Sequence, residues 1–438
     1  MNSRNAPSLD LPARFMVFSI LALAISAGSA PWTLPLLAGN IGEFSLLAFV
    51  HLNTLGFIGA MIIGASYQLV PVALQVPLSS IRWGRVSFWF YGSGVLLFLG
   101  GLMSEWLPGL AIGASLLGIA FALYAVIIVT TWRHAPHHDV VAWHILLGAV
   151  GAIGGMSLGV MLAINKSSGM LGDRLLDLLA AHIIVMLGGW VAITFIGVAY
   201  RLIGMFTLSE QHFRTRLAWT TLPLTASGTW VLALRFALPL PSWTGQVAAL
   251  LLLCGFAGFA VQIGHLYRRR MRRTFDVHVP FALVAASLMI TVAAMLTFGL
   301  MRHLPANDPL WVATTWLALF GVAGTAIQGF FYKIATFLVW LKRYAPVAGT
   351  QPVPRLEDLY NRRLAIAGWA LWTTAMIAGA LTMVFRIEVL AAVGVEVGLA
   401  IICFLVNVIA IARHWQSGRS PSLTRKRLVR QQAAAHIP

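Results

Sequence analysis

The stretch HLNTLGFIGAMIIGASYQLVPV, residues 51–72, decides the fold. It contains no Asp, Glu, Lys or Arg and is long enough to cross a bilayer, which takes about 20 mostly apolar residues. The rest of the chain agrees. Of 438 residues, 59% are apolar and 10% charged, against about 45–50% and roughly 25% in a soluble domain. That balance excludes an ordinary soluble enzyme, a disordered chain and a nucleic-acid-binding domain, despite a net charge of +17. Cys254 and Cys403 both lie in apolar runs without a CxxC pattern, so neither a disulfide framework nor a zinc site is indicated.

Twelve stretches read as membrane spans: 15–37, 45–73, 86–103, 108–131, 140–164, 178–204, 216–237, 245–268, 280–302, 309–341, 363–385 and 389–412. The expected fold is therefore an all-α polytopic membrane protein. One membrane domain fills residues 1–413, and 414–438 form a basic tail. Ser26 to Ala30 could pass for a signal-cleavage site, but the apolar run before it is long for a signal peptide and is kept as a span. With the N-terminus inside, 24 of the 30 Lys and Arg fall on the inner side and five on the outer. Positive charge stays on the cytoplasmic side, so both termini are expected there. The tail, with Arg425, Lys426, Arg427 and Arg430, could also touch anionic membrane lipid; a simple stop signal explains it as well. Twelve spans without a targeting peptide suit a bacterial inner membrane.

Three of the spans carry one pattern. The second is quoted above. The sixth reads HIIVMLGGWVAITFIGVAYRLIGMF from His182, and the tenth WLALFGVAGTAIQGFFYKIATF from Trp316. Each has a glycine after a large apolar residue: Gly56, Gly188 and Gly321. Each then has Gly-x-x-Tyr and a polar or basic residue: Gly64-Tyr67-Gln68, Gly197-Tyr200-Arg201, Gly329-Tyr332-Lys333. Four spans fit between successive tyrosines, so the chain divides into three pseudo-repeats of four, near 15–131, 140–268 and 280–412. Gly56, Ala60 and Gly64 form a face of small residues, as do Gly321, Thr325 and Gly329. Such a face lets helices approach closely or leaves room for a flat ligand. The tyrosines with their basic neighbours read as interfacial anchors. The three helices should line the interior.

Histidines give the candidate site. His51 and His182 sit about a turn inside the outer ends of spans 2 and 6. At 1.5 Å per residue, His51 is about 24 Å above Tyr67. An ionisable group inside a span is by default a functional hypothesis, and imidazole in a dry cleft suits haem iron or copper. A packing histidine is the competing reading for each. His182 is also out of register, because counting back 16 residues from Tyr200 reaches Ile184. His134, His137 and His138 belong to a solvated loop. His144, His265 and His278 read as interfacial, with His144 a second-rank candidate, and His303 as a loop residue able to serve a cofactor edge. Glu396, about two turns into the last span, reads as a proton relay or a structural acid. With Lys333 and Tyr332 it makes a candidate proton path. Arg386 could pair with an anionic cofactor group or be an ordinary loop charge.

The run from His51 through Gly64 to Leu69-Val70-Pro71-Val72 resembles the second helix of haem–copper oxidase subunit I. Twelve spans in three pseudo-repeats of four are also that superfamily's architecture. Tyr67 to Val72 and Lys333 to Tyr344 look like motifs of a less characterised branch of subunit-I-like membrane proteins. The layout is similar too to haem- and copper-containing nitric-oxide-response membrane proteins. The resemblance implies haem b and copper as candidate cofactors, held by His51 and His182, with Arg386 on a haem propionate. The departures are specific. The seventh span has no histidine, the tenth has none, and Trp316 takes the position matching His51. A complete oxygen-reducing centre is not expected.

Three functions follow. The first is a haem or copper protein for electron transfer or nitric oxide handling, partnered by a respiratory-chain electron donor or a small gas. The second is a proton-coupled transporter or permease that keeps the fold without metals. The third is an assembly subunit of a respiratory complex.

Overall fold

The computed structural model describes residues 9–39, 42–271 and 276–416. Arg4, Arg272, Arg273 and the basic tail from residue 417 lie outside them. The described residues form twelve long helical segments and no strand. In chain order these are α1 (Asp10–Ala38), α2 (Phe44–Ala73), α3 (Ile81–Met103), α4 (Leu107–Arg133), α5 (Val140–Ser168) and α6 (Gly172–Thr207). Then come α7 (Thr215–Ala237), α8 (Ser242–Arg268), α9 (His278–Met301), α10 (Pro309–Arg343), α11 (Arg362–Phe385) and α12 (Leu390–Gln416).

Eleven of them are long and apolar enough to cross a membrane. The exception is α7, helical as expected but made more polar by Arg216, Thr220, Thr221, Thr225, Ser227 and Thr229. Large apolar side chains such as Leu21, Leu96, Val126 and Phe385 point outward on the other helices, as lipid-facing positions do. This is a multi-span helical membrane protein.

The helices close into a ring of three four-helix units. Within each unit the first helix packs on the second and the third on the fourth. Between units, α4 packs on α5, α8 on α9, and α12 back on α1.

The register inside each unit repeats. Gly64 of α2 packs on Phe15, Gly197 of α6 on His144, and Gly329 of α10 on Phe281. The ring of Phe15, His144 or Phe281 then meets that of Tyr67, Tyr200 or Tyr332 at 5.7, 5.6 and 6.1 Å. Higher up, Gly56 meets Ala22, Gly189 meets Gly151, and Gly321 meets Leu288. Gly189, not the neighbouring Gly188, therefore holds the equivalent place. The small-residue faces serve close helix approach; α1, α5 and α9 occupy the space a flat ligand would need.

The tyrosines are not interfacial anchors. Tyr67, Tyr200 and Tyr332 are buried. Each hydroxyl has a partner: Ser87 at 2.9 Å, Thr221 at 2.7 Å, and the Asn407 amide, which donates to Tyr332 at 3.2 Å. A partnered hydroxyl removes the cost that would hold it at the water interface. His144 and His278 are likewise buried rather than interfacial.

Each of α2, α6 and α10 contains eight residues of π-helix, Leu52–Gly59, Val185–Ala192 and Leu317–Gly324. They begin 133 and 132 residues apart, the same spacings as the three tyrosines. Side chains from neighbouring helices support the wide turns. The Tyr91 hydroxyl donates to the Leu55 carbonyl at 2.6 Å and Ser19 to the Phe57 carbonyl at 2.7 Å. Below the third segment, Trp372 Nε1 donates to Thr325 Oγ1 at 3.0 Å. Half of the residues between His51 and Tyr67 are in these wide i→i+5 turns, so an all-α rise of about 24 Å overstates their separation.

Candidate functional site

The π segments face a central cavity of about 1130 Å³. Ligand and cofactor sites run to about 300–1,000 Å³, so it has room for a large group. The three repeat helices supply much of its wall, and most lining residues are apolar. As the sequence predicted, α2, α6 and α10 line the interior.

His51 and His182 both open into this cavity. His51 ends the α-helical first part of α2, one residue before its π segment. Its Nδ1–H donates to the Leu47 carbonyl at 2.8 Å. Its ring packs on Phe98 of α3 at 4.9 Å. His182 donates from Nδ1 to the Gly155 carbonyl of α5, also at 2.8 Å. A carbonyl only accepts, so the proton of each neutral ring is on Nδ1 and the lone pair on Nε2. That is the tautomer a metal-ligating histidine presents, with its other nitrogen fixed by a backbone oxygen. Neither Nε2 has a hydrogen-bond partner among the described residues.

Trp316 holds the third equivalent position and also lines the cavity. Its Nε1–H is committed to the Met376 carbonyl at 3.0 Å, so it closes the wall without offering a ligand. Among the described residues, no group of three or more His, Cys, Asp or Glu gathers to hold a metal ion. Two imidazoles with an unprotonated Nε2 on one mostly apolar cavity are donors of the kind haem takes; a copper ion would need donors beyond them.

At the His51 end, Asp177, Arg235, Ser242, His303 and Asn307 add a polar rim to the cavity. In the sequence Arg235 stands out only as one of the five Lys and Arg on the outer side. Its signal was its place near the end of α7, on the same side of the bundle as His51. Arg386 lies elsewhere: it ends α11 in left-handed backbone geometry (φ +54°), exposed and outside the cavity lining. His303 does reach the rim, where its Nε2 lies 3.5 Å from Gln246 Nε2.

The three residues of the candidate proton path do not form a chain. Tyr332 and Lys333 border a pocket of about 10 Å³, water-sized, with Asp276, His278, Thr336 and Tyr360. Lys333 is buried and ion-paired with Asp276, and His278 Nδ1 lies 3.9 Å from the same carboxylate. Glu396 is half-buried between α11 and α12, where it accepts a hydrogen bond from Thr374 Oγ1. No hydrogen bond among the described residues joins it to Tyr332 or Lys333. In the loop after α4, His134 and His138 spend one ring nitrogen each on the Thr130 and Trp132 carbonyls.

Comparison with protein-family models finds no match to this chain, and comparison with curated proteins finds none either.

Proposed function

We propose that this membrane protein holds haem b in its central cavity, between His51 and His182, and uses it for one-electron transfer. The observation that carries the reading is the pair of imidazoles. They come from two equivalent helices, face one cavity, and each has Nδ1 tied to a carbonyl and Nε2 without a hydrogen-bond partner among the described residues. Haem supplies a one-electron couple and, if one axial position is left open, a site for a small gas such as nitric oxide. The chain's own part is to fix both rings, keep water out with an apolar wall, and set Arg235 at the rim against an anionic edge. The closed ring of three four-helix units supports the resemblance to haem–copper oxidase subunit I. Trp316 argues against an oxygen-reducing centre, because it fills a ligand position with a committed side chain. The basic-residue distribution supports an inner-membrane protein with both termini in the cytoplasm.

The test is a dithionite-reduced minus oxidised spectrum of the purified protein, with iron and copper measured on the same sample. Stoichiometric haem that is lost in His51→Ala is the expected result. Haem retained in that variant would remove His51 from the site. One observation favours a second reading, a transporter. The cavity follows α10 from Trp311 to Ala335, a run shortened from its all-α length of about 36 Å by the π segment Leu317–Gly324. A colourless, metal-free protein that moves a solute into vesicles would select it.

A further inference from the structure

The equivalent of His51 on α6 is Ile184, the residue just before the second π segment. Ile184 offers no donor atom. Two residues before it stands His182, and two residues after it Met186. Both open into the central cavity. Both also pack on one strip of α5. A Cβ on Gly159 would come within 2.9 Å of His182 Cε1, and a Cβ on Gly155 within 2.5 Å of Met186 Sδ. The two glycines of α5 make room for an imidazole and a thioether, side by side, on either side of Ile184 in the cavity wall.

We infer that Met186 Sδ would be a second donor to a haem iron held in this cavity, able to stand in for the neighbouring His182. The inference rests on the haem reading above. Such an exchange would move no proton: the His182 Nδ1–H bond to the Gly155 carbonyl leaves Nε2 with its lone pair, and a thioether sulfur carries no proton to lose. The chain then has a choice of ligand with a physical consequence. A thioether is a softer donor than imidazole, and His/Met ligation raises a haem's reduction potential. Gly155 and Gly159 are positioning residues for both donors.

The test compares wild type, His182→Ala, Met186→Leu and the double variant, each full-length and purified after haem-supplemented expression. Haem per chain, the absorption spectrum and the midpoint potential are the readouts. His182→Ala is expected to keep low-spin haem within about twofold of wild type, at a higher potential. The double variant should lose it by roughly tenfold or more, the scale on which ligand-shell changes act. If His182→Ala does not fold, His182→Asn takes its place, since its amide nitrogen stands where Nδ1 does and can still donate to the Gly155 carbonyl. A His182 variant that matches the double variant in haem content and spectrum overturns the inference and leaves the haem reading standing. A wild type with no haem overturns both.

Discussion

Alanine at the three glycines that pack on Phe15, His144 and Phe281 should loosen the bundle in a graded way. At Gly64 the new Cβ would lie 2.9 Å from Phe15 Cβ, and at Gly197 it would lie 2.5 Å from His144 Cβ. At Gly329 it would approach Phe281 Cβ more closely still. Carbon atoms prefer about 3.5–4.0 Å. A Cβ cannot rotate away from its own backbone, so the helices themselves must part. Overpacking of this kind costs about 1–3 kcal/mol, against which alanine returns about 1 kcal/mol of helix propensity. Gly100 is the control, because nothing lies within 4 Å of a Cβ there. Gly100→Ala should be neutral or gain up to about 1 kcal/mol. The gap between the two sets is then about 2 kcal/mol, roughly 30-fold in the folded-to-unfolded ratio. Thermal unfolding in one detergent, followed by tryptophan fluorescence and by retention on a sizing column, measures it. Gly197→Ala and Gly329→Ala as stable as Gly100→Ala would refute the repeating contact.

Lys333→Met should destabilise by about 3–5 kcal/mol, because it removes the partner of a buried carboxylate; adding Asp276→Asn should recover most of the loss in the same unfolding assay. Arg235→Gln should lower haem retention through repeated purification, whereas Arg386→Gln should leave it unchanged; equal losses would deny the rim its role. Burial, then the charges of Asp276 and Glu357 and the neighbouring Tyr332, hold the Tyr360 hydroxyl above the ordinary tyrosine range. The folded state therefore keeps that proton when the unfolded chain loses it. Stability contributed by Tyr360 is full below about pH 10 and falls as pH rises beyond it. Unfolding measured from about pH 8 to about pH 11 should show a shallower fall in Tyr360→Phe.

The helices were legible because apolar runs of span length leave few alternatives. The threefold repeat was legible because Gly-x-x-Tyr marks one face three times. The roles of those residues were not. A tyrosine beside a basic residue looks the same whether it meets lipid headgroups or a buried Ser87, Thr221 or Asn407 on another helix. His51 and His182, each alone in an apolar run near the same end, line one cavity. Arg235 and Met186 were missed because their signal is not local. Arg235 looks like any charge at a span end, and Met186 like any apolar residue. The π turns left no residue signature either, because the groups that support them, Tyr91 and Ser19, sit on other helices.

The seam between α1 and α12 has a consequence for how the chain is made. Gly394 of α12 approaches the backbone of Ala30 and Pro31, where a Cβ would lie 2.6 Å from either. It is a backbone-to-backbone contact between residues more than 350 positions apart in the sequence. At about 5–20 residues per second, α1 waits roughly 20–80 s on the ribosome's schedule before its neighbour exists. Until then the α1 face that includes Ala30 is turned to lipid or to whatever escorts a nascent membrane chain. The first and second units can pack as they emerge, but ring closure is necessarily the last event. A truncation that stops before α12 should thus yield an inserted, open arc: eleven helices with an unsealed edge, prone to capture by a second copy or by quality-control proteolysis.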